Sequence, residues 1–264
     1  MKYFILTISL LLVCQKSSFG IDGDMSKKEE MRLEYKLKLG WFTLGSGTVR
    51  IQEDAMTIKG RNHHQVYAHT STLGLGNWLS NLDDEYTALV DNESSKSYYS
   101  YKNVVVGKEK WEQWNNFDYD SLRIKVKVKD YRREDPNRTW EVDINEDTYD
   151  VLGTFLYFKS YDWSKAILND STIIDTFYEK KLYKVGVEYM GDETIKFNGE
   201  SVAVHRLHLL LPEHENVRKD RPVIIWLSKD ENRIPIRIQT SLGIGNARCE
   251  LQTINNSEPV FKSY

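Results

Sequence analysis

The side chains best suited to chemistry in this 264-residue chain are its histidines, its clustered carboxylates and its many aromatic rings. Six histidines invite a metal or general-base reading. His63 and His64 are adjacent, so in a strand they point to opposite faces, and His205 and His208, three apart, do the same. His214 lies between Glu213 and Glu215 in a polar loop. The chain has no His-Glu-x-x-His signature and no closely spaced cysteine pair. The pattern therefore predicts surface or core histidines, with no bound metal and no other cofactor.

Nucleophilic chemistry is equally unsupported. A Gly-x-Ser-x-Gly elbow is missing, and Gly45-Ser46-Gly47 falls within an expected strand or bulge. Gly243-Ile244-Gly245 lacks the third glycine and the following helix of a dinucleotide site. No catalytic residue is assigned. Paired carboxylates for glycoside chemistry would have to come from clusters such as Asp83-Asp84-Glu85, which reads first as a solvated turn leading into a strand. Asp230-Glu231 before Asn232-Arg233 reads as a hairpin turn in the same way.

Aromatic rings offer more. Trp111 and Trp114 occupy a polar stretch near Tyr98, Tyr99 and Tyr101, before Phe117 and Tyr119. Rings of this kind stack on sugars or contact lipid tails, and Trp111, Trp114, Tyr99 and Tyr101 are the ligand-binding candidates. The competing reading is that they fill the interior of a large sheet or half-barrel, which needs bulky side chains.

The elements that must position these residues are strands. Leu33, Tyr35, Leu37 and Leu39 alternate with charged residues, and Ile124 to Lys129 alternates with three lysines. Further runs cover Ser201–Leu211, Pro222–Ser228, Ile234–Thr240 and Ala247–Ile254. A period of two is what a sheet with one wet face requires, and roughly twelve to fourteen such strands fit the chain. Turns are expected at Gly40, Asp120, Asp130–Asn137, Gly191-Asp192, Asn198-Gly199 and Lys229–Asn232, with Asn198-Gly199 the sharpest hairpin signal. Asp147 to Phe158 breaks the pattern. Val151, Leu152, Phe155 and Phe158 stand at helical spacing with Asp147 or Thr148 as N-cap, predicting an amphipathic helix against the sheet. A second helix or loop is expected over Leu73–Leu82.

The fold expectation is therefore mainly β: a large antiparallel curved sheet or partly open β-barrel with one or two short helices packed against it. Residues 1–20 have the order of a signal peptide, with Lys2, the apolar run Tyr3–Val13 and small residues Ser18 and Gly20 before a cleavage site after Gly20. Residues 21–264 then form a single β-rich exported domain. Lipidation at Cys14 is the second reading, with Val13 standing where a small residue belongs. Eleven apolar residues are too few for a membrane span, so no transmembrane segment is expected. Cleavage would remove two lysines and no acid, making the formal charge of −3 slightly more negative, which argues against nucleic acid as a partner. Cys249 would remain alone, so no internal disulfide is expected.

Three passages resemble the bacterial exported family known as domain of unknown function 3108. They are Leu33-Glu34-Tyr35 through Gly45-Ser46-Gly47-Thr48, Asp150-Val151-Leu152 through Phe155-Leu156-Tyr157, and Ile225-Trp226-Leu227-Ser228-Lys229-Asp230 with Arg233-Ile234-Pro235-Ile236. The resemblance implies an envelope protein with a curved sheet or partly open barrel and no assigned activity, and the residues themselves place Trp226 in the core. The functional expectation is a non-enzymatic binding or chaperone-like module, periplasmic or outer-membrane-associated, holding a lipid-like ligand on a concave face. A carbohydrate-binding or carbohydrate-active role, with a glycan as ligand, is the alternative, and a structural partner in an envelope protein complex is the third.

Overall fold

The computed structural model describes residues 30–74, 76–77, 81–212, 222–242 and 245–261. The signal-like segment, Cys14, His214 and Gly243-Ile244 lie outside the described residues. The first eight strands are β1 (Glu30–Leu39), β2 (Phe42–Ile58), β3 (Arg61–Thr72), β4 (Leu82–Asp91), β5 (Ser97–Val106), β6 (Glu109–Asp118), β7 (Arg123–Asp130) and β8 (Asn137–Asp143). A short β9 (Thr148–Asp150) leads directly into α1 (Val151–Ser160). The chain returns through β10 (Ser171–Tyr178), β11 (Lys181–Phe197), β12 (Glu200–Leu210), β13 (Val223–Ser228), β14 (Pro235–Leu242) and β15 (Gly245–Ile254).

All fifteen strands belong to one sheet in the order β8-β7-β6-β5-β4-β3-β2-β1-β15-β14-β13-β12-β11-β10-β9. Neighbours pair antiparallel except β9 and β10, which run parallel over three residues. The expected curved antiparallel sheet is borne out. Its period-two runs fall in strands as read, and Asn198-Gly199 forms the β11–β12 hairpin with φ of +48° and +85°. Gly191-Asp192, expected as a turn, instead lies in a register shift inside the 17-residue β11, where Gly191 takes φ +96°. Of Leu73–Leu82, Gly76 and Asn77 are helical and Leu82 already begins β4, while Leu75 and residues 78–80 lie outside the described residues.

The sheet rolls up without closing. Leu33, Tyr35 and Leu37 on β1, Val49 and Ile51 on β2, Val66 and Ala68 on β3, and Leu207, Leu209 and Leu227 across the roll join one buried core. The helix lies within that core. Val151, Leu152, Gly153, Thr154, Leu156 and Phe158 are all buried, which an amphipathic helix resting on a sheet would not permit. Its N-cap is Asp150, not Asp147 or Thr148, because the Asp150 carboxylate accepts the Gly153 N–H at 2.7 Å. Ser97 Oγ donates to the same oxygen and fastens the cap to β5. Each fully buried Leu or Phe here contributes about 2 kcal/mol of transfer free energy.

The two ends of the sheet overlap instead of pairing. Ile174 and Thr176 on β10 face the helix, whereas Phe177 turns to the opposite side. There it forms a second core with Phe117, Ile124 and Val126 on β6 and β7 and Ile144 after β8, backed by Trp140, Val142 and Leu182. Phe117 and Phe177 meet edge to face at 6.2 Å. The β9–β11 end is thus tucked inside the β6–β8 end. Trp226, expected in the core, is half-buried on the outward face, with its indole N–H donating to Glu193.

Candidate functional site

Alternation along β5 and β6 decides what the aromatic candidates can do together. The antiparallel register sets Tyr101 opposite Trp114 and Val104 opposite Trp111. Trp111 and Trp114 are three residues apart in one strand, so they stand on opposite faces, by the rule already applied to His205 and His208. Trp114, Tyr101 and Tyr99 lie on the convex side; Trp111 alone faces the concave side. The convex group is already engaged. Tyr101 Oη donates to Glu112 Oε1 at 2.8 Å, Tyr131 Oη donates to Glu112 Oε2 at 2.6 Å, and Lys127 sits 5.5 Å over the Trp114 ring. Burial alone would raise the Glu112 carboxyl, but these hydroxyl donors hold it below its ordinary range.

The concave side of β6–β8 carries a pocket of about 250 Å³. Trp111 on β6 and Trp140 on β8 supply its two indoles, with Gln113, Val128 and Asp130 between them. Arg132, Arg133 and Arg138 border it, and the β10–β11 turn brings Glu179 and Lys180 to its inner side. Arg132 lies 5.4 Å over the Trp111 ring. It bonds both oxygens of Asp130 at 2.7 Å and reaches Glu109 at 3.1 Å, while Arg133 adds a bond to Asp130 at 3.2 Å. The Arg132 hydrogen bond and its neighbours hold the Asp130 carboxyl well below the usual carboxylate range. Among the described residues no carboxylate forms an ion pair with Arg138, and its register opposite Val128 places it on the concave face.

The sequence pattern singles out neither Trp140 nor Arg138. Arg138, Trp140 and Val142 alternate with Thr139, Glu141 and Asp143 at the strand period, but the run follows a charged loop and hides its indole among polar residues.

Deeper in the seam, Lys102 is nearly fully buried beside Glu179, 3.2 Å away. Burial pushes its ammonium pKa down, and the Glu179 carboxylate opposes that shift. Gln113 donates to the Glu179 carbonyl oxygen at 2.9 Å and to Asn115, which in turn donates to Ser100. Asp84 faces this interior and is 2 % exposed, which overturns its reading as part of a solvated turn. Asp83, by contrast, faces out and contacts His69.

The histidines do not converge. His205 bonds Asp192 at 2.6 Å and His208 bonds Glu188 at 3.1 Å, on opposite faces of β12. Among the described residues no group of three or more His, Cys, Asp or Glu side chains is placed to hold a metal ion. No described helix is long and apolar enough to cross a membrane. Cys249 is buried, and burial pushes its thiol well up.

The family model "Protein of unknown function (DUF3108)" matches residues 34–252, most of the chain. The chain belongs to the DUF3108 family. This DUF3108 chain is also similar in fold to a solved structure, a beta-barrel-like protein of domain of unknown function DUF1849 from Brucella abortus. That likeness has a TM-score of 0.54 at 10% sequence identity and covers 86% of this chain and 98% of the other. At that identity it concerns the fold alone. No curated protein matches the chain. The rolled, unclosed sheet of this DUF3108 member agrees with the barrel-like description of the DUF1849 protein.

Proposed function

We propose that the protein is an exported, non-enzymatic binding module of the bacterial envelope that holds a small anionic saccharide-like ligand between Trp111 and Trp140. The observation that carries this reading is the concave pocket with two indoles, a guanidinium over one of them, and Arg138 left without an ion-pair partner among the described residues. Indole faces stack on sugar rings, and a planar guanidinium takes a carboxylate or phosphate in two parallel hydrogen bonds. The pocket lining contains no serine, cysteine or histidine, and its Asp130 is held ionised by two arginines, which suits binding better than proton transfer. The segment Tyr3–Val13 with its flanks supports export.

An apolar ligand finds less room. The cavity between α1 and the inner wall measures about 80 Å³, against about 250 Å³ for the Trp111–Trp140 pocket. The helix occupies the space a lipid would need.

A glycan array and calorimetry with acidic monosaccharides test the proposal. Binding should be lost in Trp111→Ala, fall at least tenfold in Arg138→Ala, and survive Trp114→Ala on the opposite face. Retention of binding in Trp111→Ala would remove the pocket from consideration. A lipid found in the native mass spectrum of the purified protein would favour the apolar reading instead.

A further inference from the structure

The β1–β2 hairpin ends in Gly40 and Trp41, and its aromatic side chains are turned outward: Trp41 is 86% exposed and Phe42 50%. The rings touch each other, with centroids 5.7 Å apart. A third apolar side chain, Leu73, is 53% exposed on the adjoining β3–β4 connection. Its residues Leu73 and Gly76 pack tightly on the start of β2. The Leu73 N–H donates to the Leu44 carbonyl at 2.8 Å, and a Cβ at Gly76 would lie 1.9 Å from the same oxygen. Two loops therefore present one apolar tip at one end of the roll.

The tip is braced rather than loose. Gly40 takes φ +58°, its N–H donates to the Asn246 carbonyl at 3.0 Å, and its own carbonyl accepts from Arg248 at 2.9 Å. Large apolar side chains held in water on an ordered turn mark a contact surface. Directly below, on the outward face of β1, β14 and β15, Lys38, Arg237 and Arg248 surround the single carboxylate of Glu250 at 2.6, 3.3 and 3.5 Å. The patch under the aromatics is thus net positive.

We infer that this tip is a membrane-surface anchor: Trp41, Phe42 and Leu73 enter the boundary between headgroups and acyl chains of an anionic bilayer, and the cations beneath them face lipid phosphates. Trp and Phe are suited to that depth, and basic side chains within a Debye length strengthen attachment to anionic leaflets. The Trp111–Trp140 pocket lies further along the same end of the sheet, with β3, β4 and β5 between β2 and β6.

Co-sedimentation with vesicles of phosphatidylcholine, alone and with 30 mol% phosphatidylglycerol (about a third anionic lipid), tests the inference. The wild-type chain is compared with Trp41→Ser/Phe42→Ser; both share one N-terminus, so a difference between them belongs to the turn. Both side chains are solvent-exposed, and unchanged circular dichroism checks that the variant folds. The wild type should bind anionic vesicles at least tenfold better than neutral ones, the variant should lose at least tenfold, and added salt should weaken the wild type. Equal recovery of wild type and variant, or no recovery of either, would overturn the assignment and leave the tip to a protein partner.

Discussion

Lys102 Nζ lies 3.2 Å from Glu179 Oε1, and this pair links β5 to the β10–β11 turn, elements that share no backbone ladder. The sheet has two free ends, so its roll is held by side chains. The Lys102–Glu179 pair, the Gln113 bond to the Glu179 carbonyl, the Tyr119 hydroxyl donating to the Thr148 carbonyl at 3.0 Å, and the Ser97–Asp150 contact lie along one seam. Glu179 takes φ +55°, a left-handed conformation that costs a non-glycine residue about 1 kcal/mol. The turn holds that geometry because both its carboxylate and its carbonyl are engaged.

The pair is asymmetric, and that predicts unequal effects of removing each half. The Lys102 side chain is 3% exposed, whereas Glu179 is 34% exposed and can be rehydrated. Glu179→Gln leaves a buried ammonium without its anion and should lower unfolding free energy by about 2 kcal/mol. Lys102→Met removes the buried charge, and with it the cation–π contacts of Nζ with the Tyr178 and Tyr86 rings, but leaves no unpaired buried ion, and should lower it by about 1 kcal/mol or less. Urea denaturation at neutral pH gives the order. A larger loss for Lys102→Met would mean that the seam rests on other contacts.

Helix entry offers a case where intrinsic propensity points the wrong way. Replacing a helical glycine by alanine ordinarily gains about 1 kcal/mol. At Gly153 a Cβ would meet the Ser95 carbonyl oxygen at 2.5 Å and Asp150 Oδ1 at 2.9 Å. Gly153→Ala should therefore destabilise, by about 1–3 kcal/mol. Asp150→Ala should lower stability by about 2 kcal/mol through loss of the cap and of the Ser97 bond, while Asp150→Asn keeps the acceptor and should stay within about 0.5 kcal/mol. Thermal unfolding of the three variants checks the set; stabilisation by Gly153→Ala would refute the close approach to Ser95.

What the sequence made legible was local. Alternation in Leu33–Leu39 and Ile124–Lys129, and positive φ at Asn198-Gly199, follow from side-chain direction and backbone sterics within a few residues. The spacing of Trp111 and Trp114 already placed them on opposite faces, a consequence that an account based on their shared aromaticity overlooks. The overlap of the sheet's ends was not legible. Phe177 and Ile124 are more than fifty residues apart in sequence, and nothing local tells which face of β10 the far end will cover. Lys102 was equally hidden, because a lysine alternating with Tyr101 and Asn103 reads as solvent-facing until β10 is folded against it.

Asp130 should make stability pH-dependent in a defined direction. Its carboxyl is depressed below the ordinary 3.8 by hydrogen bonds from Arg132 first and Arg133 after it. A depressed carboxyl stabilises the folded state above its unfolded pKa, and that contribution is lost as pH falls below it. Asp130→Asn should therefore cost about 1 kcal/mol at pH 7, the arginines being half-exposed. The gap between variant and wild type should narrow as pH drops from about 5 towards 2. Parallel denaturation curves at several pH values measure it; a gap that is constant with pH would mean that the charge of Asp130 contributes nothing.

The overlap itself is tested at Phe177. Its ring is 2% exposed, lies on the outward side of β10, and packs against Phe117, Ile124 and Val126. Truncation there removes the central contact of the second core but leaves the helix-filled core untouched, since Ile174 and Thr176 face the other way. Phe177→Ala should cost about 3–5 kcal/mol, in the range for a buried aromatic. The loss should also be local: with few remaining contacts between the layers, β6–β8 would open before the rest of the sheet. Hydrogen exchange should then accelerate in the amides of β7 and β8 well beyond those of β1 and β2, which are paired on both sides in the centre of the sheet. Uniform acceleration over all strands would show that the two cores unfold as one unit.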